Sequence, residues 1–191
     1  MKTIAKILGG LLVAIIALIL FFAERDRPVE ELIPLYANKE SKFMPIMGMK
    51  VHYRDEGVAT DTLPLILLHG MSSSLNTWDS VVIDLKQHRR VISLDLPGFG
   101  LTGPSPEMAY NFPYYSKFID SFTTRLKIKR FILAGNSMGG AISWNYALHN
   151  PSREERGHSR QPAPRRSHAL SRQSRGSGAV CRVRSTHREP V

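Results

Sequence analysis

Residues 130–150 read RFILAGNSMGGAISWNYALHN. The apolar run Phe131 to Ala134 has the length and character of a strand buried on both faces. Gly135-Asn136-Ser137-Met138-Gly139 then takes the form G-x-S-x-G, and a helical stretch follows. A strand that turns straight into a helix holds the residue at the bend in unusual backbone angles. Side chains two positions to either side would collide there, which accounts for Gly135 and Gly139. Gly140 allows the helix to pack closely. Ser137 is therefore the candidate nucleophile. The free N–H groups and positive dipole end of the helix face the place where an attacked carbonyl oxygen would gain charge. The plainer alternative is a glycine-rich turn whose serine merely caps the helix.

Working toward the amino end, TDTLPLILLHG contains a second buried run, Leu65 to Leu68, that ends at His69-Gly70-Met71. RRVISLDLPGFG contains a third, closing on Asp95 and a glycine turn. Between them, NTWDSVVIDLKQH puts Trp78, Val82 and Leu85 on one helical face, with Asn76 or Thr77 as a candidate cap. YSKFIDSFTTRLKI repeats that spacing through Tyr115, Phe118, Phe122 and Leu126. SKFMPIMGMKVHYRDEG reads as two short strands meeting near Gly48. Strands alternating with helices predict a mostly parallel sheet with helices on both faces. Sites in such sheets lie at the carboxyl ends of the strands. The turns at 69–72, 95–103 and 135–140 all occupy such ends, so they are expected on one rim.

At that rim the backbone N–H groups of Met71 and Met138 are candidate oxyanion donors, with His69, Gly70, Gly135 and Gly139 supporting the turns. His69 reads as a satisfied strand-end histidine rather than a base. Asp95 is expected to bond backbone N–H groups of its turn, and Ser72, Ser73 and Ser74 read as loop polarity.

LLHGMSSSLNTWDSVV, VISLDLPGFGLTG and FILAGNSMGGAISWNYALHNP together resemble the α/β-hydrolase fold superfamily, over roughly residues 42–151. The resemblance implies a serine nucleophile at Ser137 with oxyanion donors at Met71 and Met138. It also implies hydrolysis of a carboxylic ester or related acyl substrate; some members cleave carbon–carbon bonds or act as lipases. A Ser at this position disfavours the members with an Asp nucleophile, the haloalkane dehalogenases and epoxide hydrolases. No cofactor is implied.

Residues 1–23 form the most apolar segment. Ile7 to Ala23 carries no charge, which is at the lower limit for a membrane-spanning helix. Lys2 and Lys6 precede it and favour a cytoplasmic amino end. A single-pass anchor is therefore expected, with the domain outside the cytoplasm, as at a bacterial inner membrane facing the periplasm. The alternative is a cleaved signal peptide and a secreted product, although Phe21 two positions before Ala23 makes a poor cleavage site. Residues 24–41, with Pro28 and Pro34, read as a linker.

The chain carries a net charge of +10, and residues 152–191 hold ten Arg against three Glu. Most of the basicity thus belongs to this Arg-, Ser- and Pro-rich tail, which has no Lys, Asp, Ile, Phe, Tyr or Trp. No strand is expected in it, and it reads as disordered. In the resembled fold the acid and histidine follow the nucleophile. Here Glu154, Glu155, Glu189, His158, His168 and His187 lack a strand-end context, so impaired catalysis is expected. A frameshifted or truncated end, a native arm for anionic lipid or nucleic acid, and a minimal hydrolase using His187 are the open readings. The arm has no aromatics for base stacking, so nucleic acid is not the expected partner. The single Cys181 rules out a disulfide framework, and no close ligand pairs point to a metal.

Overall fold

The computed structural model describes residues 2–23 and 27–150 and the backbone of 178–184, without the side chains of residues 2 and 5. An amino-terminal helix α1 (Lys2–Phe22) precedes α2 (Val29–Tyr36). The rest alternates: β1 (Ser41–Ile46), β2 (Met49–Gly57), β3 (Leu65–Leu68), α3 (Asp79–Leu85), β4 (Arg90–Leu94), α4 (Phe112–Arg125), β5 (Arg130–Asn136) and α5 (Met138–His149). A last strand, β6, runs from Gly178 to Arg184.

β1 and β2 form the expected hairpin, with Ile46 opposite Met49. Its two-residue turn has positive φ at Met47 and Gly48, the turn geometry that matches strand twist. The six strands lie in the order β1-β2-β4-β3-β5-β6. β3 is central and parallel to both β4 and β5. The sheet is mixed, however, and not mostly parallel. β1 with β2, β2 with β4, and β5 with β6 all pair antiparallel. The hairpin sends its second strand back along β4, and no helical crossover intervenes to make it parallel.

Side-chain alternation along β3 divides the core. Ile66 and Leu68 face a cluster with Phe118, Phe122 and Ile119 of α4 and Ile142 and Tyr146 of α5. Leu65 and Leu67 face Val82 of α3, with Trp78 and Leu85 packed alongside. Helices therefore cover both faces, and each buried Leu, Ile or Phe contributes about 1.5–3 kcal/mol. The face predicted for α3 is the one that packs, but its predicted caps do not form. A 3-10 turn, Leu75–Trp78, precedes the helix. Asn76 Oδ1 instead accepts from Arg54 Nη2 at 2.5 Å. A tertiary ion-pair partner has taken the group that the local sequence offered for capping.

Three expectations change. First, residues 24–41 are not a bare linker. They contain α2, with Pro28 at its N-cap, Glu30 and Glu31 in its first turn and Pro34 inside it. The acidic pair favours the helix dipole, while Pro34 removes only one backbone bond from so short a helix. Second, among the described residues no helix is long and apolar enough to cross a membrane, so the expected span of residues 1–23 is not met. The reason is length: after Lys6 only residues 7–22 of α1 remain, about 24 Å of helix against about 30 Å of hydrocarbon. Third, the tail read as strandless holds β6, which pairs with β5 from Asn136↔Gly178 to Arg130↔Arg184. It covers the outer edge of β5. Alternating Val and Arg around Cys181 is compatible with an edge strand. The remaining tail candidates, Glu154, Glu155, Glu189, His158, His168 and His187, lie outside the described residues.

Candidate active site

β5 ends at Asn136 and α5 begins at Met138, so a single residue, Ser137, makes the whole turn. Its φ of 50° and ψ of −114° are strained for a residue with a side chain. The two flanking glycines are what permit it. A Cβ on Gly135 would lie 2.2 Å from Gly139 C, and one on Gly139 would lie 2.3 Å from Leu68 O. Both clashes are with backbone, so neither can be relieved by a rotamer change. α5 thereby seats its first turn against the end of β3.

Ser137 is exposed and its side chain makes no capping bond to α5. The plainer reading, a serine whose hydroxyl caps the helix, does not describe this turn. A Cβ on Gly70 would stand 3.4 Å from Ser137 Cβ, which brings the turn after β3 against the turn after β5. The amides at the start of α5 have no partners within the helix and lie beside the same turn.

His69 is fully buried. Its Nδ1 donates to Gly70 O at 2.7 Å and its Nε2 accepts from Leu96 N at 3.0 Å. Both ring nitrogens are engaged, which defines a neutral Nδ1–H tautomer. Burial holds its pKa below the usual histidine value, against smaller opposing effects from the Gly70 carbonyl and Asp95. His69 is the satisfied histidine that its strand-end position predicts. It braces the turn carrying Met71 against the turn after β4.

Asp95, also buried, accepts from Leu75 N at 2.7 Å through Oδ1 and from Leu101 N at 2.8 Å through Oδ2. The bond from Leu101 is the kind expected within its turn, while the bond from Leu75 reaches the separate loop after β3. Its Oδ2 also lies 2.8 Å from His52 Nδ1, a partner that sequence reasoning missed. Val51 and Tyr53 face the core cluster, so alternation puts His52 on the other face of β2; the fold buries that face as well, and a buried polar group requires a partner.

A cavity of about 830 Å³ opens at this rim. Met71, the Gly98–Pro104 turn and Met138 all line it, so the three glycine turns do converge. Val29 and Leu32 of α2 form another wall, with Arg27, Tyr110 and Tyr115 completing it. The lining is largely apolar, with few polar groups, as expected of a small-molecule pocket.

Among the described side chains after Ser137, the titratable ones are Tyr146, which is buried and bonded to Asp120, and His149. His149 sits at the far end of α5, about 17 Å along the helix, and its Nδ1 bonds Asn145 O at 2.8 Å. Among the described residues no group of three His, Cys, Asp or Glu is placed to hold a metal ion.

The sequence profile of the alpha/beta hydrolase fold family matches residues 64–172, more than half of the chain. The chain is 31% identical to a 2-hydroxy-6-oxo-2,4-heptadienoate hydrolase of Pseudomonas putida, over 57% of this chain and 40% of that one. It is 26% identical to a haloalkane dehalogenase of Agrobacterium fabrum, over 58% of this chain and 35% of that one. Among solved structures, a membrane phospholipase A superposes with a TM-score of 0.56 at 28% identity, covering 79% of this chain and 49% of that one. The chain thus spans less than half the length of each of these proteins.

Proposed function

Since the chain belongs to the α/β-hydrolase fold family, we propose that it is a serine hydrolase in which Ser137 attacks the carbonyl of a carboxylic ester. The observation that carries this reading is Ser137 itself. It is a strained, exposed, uncapped serine packed against Gly70 and adjoining Met138, which lines the cavity together with Met71. The backbone N–H groups of Met71 and Met138 would donate to the oxyanion, an arrangement worth about 3–4 kcal/mol for each donor. A dehalogenase-type reaction is disfavoured, because it calls for a carboxylate where this chain has a hydroxyl.

The apolar cavity and the likeness to a membrane phospholipase A favour an amphiphilic, lipid-like ester as substrate. Oγ would add to the carbonyl carbon and the alcohol would leave with a proton, giving an acyl-serine that water then cleaves. Both proton transfers require a base. Among the described residues none stands beside Ser137, so turnover by this chain is proposed to be slow.

We also propose that α1 attaches the protein to a membrane surface. Supporting this, Ile7, Leu8, Leu11, Leu12, Leu20 and Phe21 are all more than half exposed. An apolar surface of that extent calls for a cover, which the acyl region of a bilayer supplies. Retention in the membrane pellet, lost when residues 1–23 are deleted, is the expected behaviour. Secretion of a cleaved product is the competing outcome.

A fluorophosphonate probe tests the nucleophile directly. Wild-type chain should be labelled and Ser137→Ala should not. Equal labelling of both would end the proposal.

A further inference from the structure

We propose that His52 is a positioning residue that sets the spacing between two walls of the cavity, α2 on one side and the turn after β4 on the other. The inference rests on the cavity beside Ser137 being the substrate site.

The two walls come from distant parts of the chain and meet closely: a Cβ on Gly103 would stand 3.1 Å from Val29 Cγ2. Each wall is tied to the same buried imidazole. On the α2 side, Asn38 follows the helix, and its N donates to Ser41 Oγ at 3.0 Å while Ser41 N donates back to Asn38 O at 3.0 Å. Ser41 Oγ in turn lies 2.8 Å from His52 Nε2. On the other side, His52 Nδ1 lies 2.8 Å from Asp95 Oδ2, which also accepts from Leu101 N. Thr102 closes a second loop: its Oγ1 donates to Asp95 O at 2.8 Å and accepts from His52 N at 3.0 Å.

Ser41 Oγ also lies 3.4 Å from Asn38 Oδ1. With a neutral imidazole, Asp95 accepts, so Nδ1 carries the hydrogen; Nε2 then accepts from the Ser41 hydroxyl, which accepts from Asn38 N. Phe43 stacks on the imidazole at 4.9 Å and 25°, which fixes the ring plane. The His52 and Asp95 side chains are 2% and 1% exposed, so water cannot substitute for the bond between them. Breaking such a network leaves a buried group unpaired. The order Ser–His–Asp copies that of a hydrolytic triad, yet the His52 and Asp95 side chains are buried, and Ser41 sits on β1, with three strands between it and β5. What the network joins is the wall at 98–104 to the wall at 29–32, and the width between those walls decides which substrate group fits.

Spin labels on the full chain measure that width without requiring turnover. Leu35→Cys on α2 and Glu107→Cys beyond the turn are both exposed positions, used in a Cys181→Ser background. The unmodified network should give one narrow distance distribution. Ser41→Ala and His52→Gln should each broaden it, and should erase the preference of Ser137 between short-chain and long-chain fluorophosphonates. Tyr146→Phe, which removes a buried hydrogen bond elsewhere, should leave the distribution narrow. An unchanged width in both network variants, or equal broadening in Tyr146→Phe, would overturn the proposal. If His52→Gln fails to fold, the milder Ser41→Ala decides alone. Failure of Ser137 labelling would sink the hydrolase reading while leaving the distance result intact.

Discussion

Gly70 and Ser137 are so close that a methyl group on the first would stand 3.4 Å from Cβ of the second. The ends of β3 and β5 are neighbours in the sheet, with Leu68 paired to Gly135. The contact therefore follows from parallel pairing in that register, and it brings the turn bearing Met71 to the serine.

Glycine substitutions should separate by what they strike. Gly135→Ala and Gly139→Ala drive a methyl group into backbone at 2.2 and 2.3 Å. Each should cost more than about 3 kcal/mol, at the severe end for single substitutions. Gly70→Ala meets a side-chain carbon at van der Waals distance, so it should leave stability nearly unchanged and slow labelling of Ser137. Urea melts of the three variants alongside probe kinetics make the comparison.

Strain at Ser137 is stored energy, on the order of 1–3 kcal/mol for a non-glycine residue at positive φ. Ser137→Gly should release part of it. The expected result is a gain of about 1 kcal/mol, or about 2–4 °C in Tm, together with complete loss of labelling. A variant no more stable than wild type would mean that the turn carries no such strain.

His69 should make stability fall in mild acid. Burial depresses its folded pKa below the ordinary value of 6.5, so below pH 6.5 the unfolded chain takes up a proton that the folded chain refuses. Stability consequently rises with pH in that range and is lost as pH drops from 6.5 toward the folded value. His69→Gln should flatten this part of the profile. Denaturation at pH 7 and pH 5 for both proteins provides the check.

Tyr146 of α5 is fully buried and its hydroxyl bonds Asp120 Oδ1 of α4. Burial, then the Asp120 carboxylate, pushes its pKa far above the usual phenol range, so the hydroxyl stays a donor at any working pH. Tyr146→Phe should cost about 1.5–3 kcal/mol, the range for a hydrogen bond to a charged group. Probe labelling of Ser137 should survive the change.

The turns and the strands they end were legible in the primary structure because local rules act there. The run Leu65–Leu68 demands burial on two faces, and Gly135 and Gly139 demand a bend too tight for side chains. His69 and Asp95 were also readable, since each satisfies groups of its own or an adjoining turn. The α3 cap failed as a local inference because Arg54, far along the chain, claims Asn76. The parallel sheet failed because a hairpin reverses β2, and α2 was hidden behind two prolines that one short helix tolerates.

Residue order alone thus determined most elements between residues 41 and 150, the turn at Ser137 and the family, all of which depend on neighbours within a few positions. Only the folded chain decided that α2 walls the cavity, that β6 covers the edge of β5, and that His52 joins Ser41 to Asp95. Those depend on contacts between segments tens of residues apart, where the geometry is set by how the sheet packs and no short-range pattern encodes it.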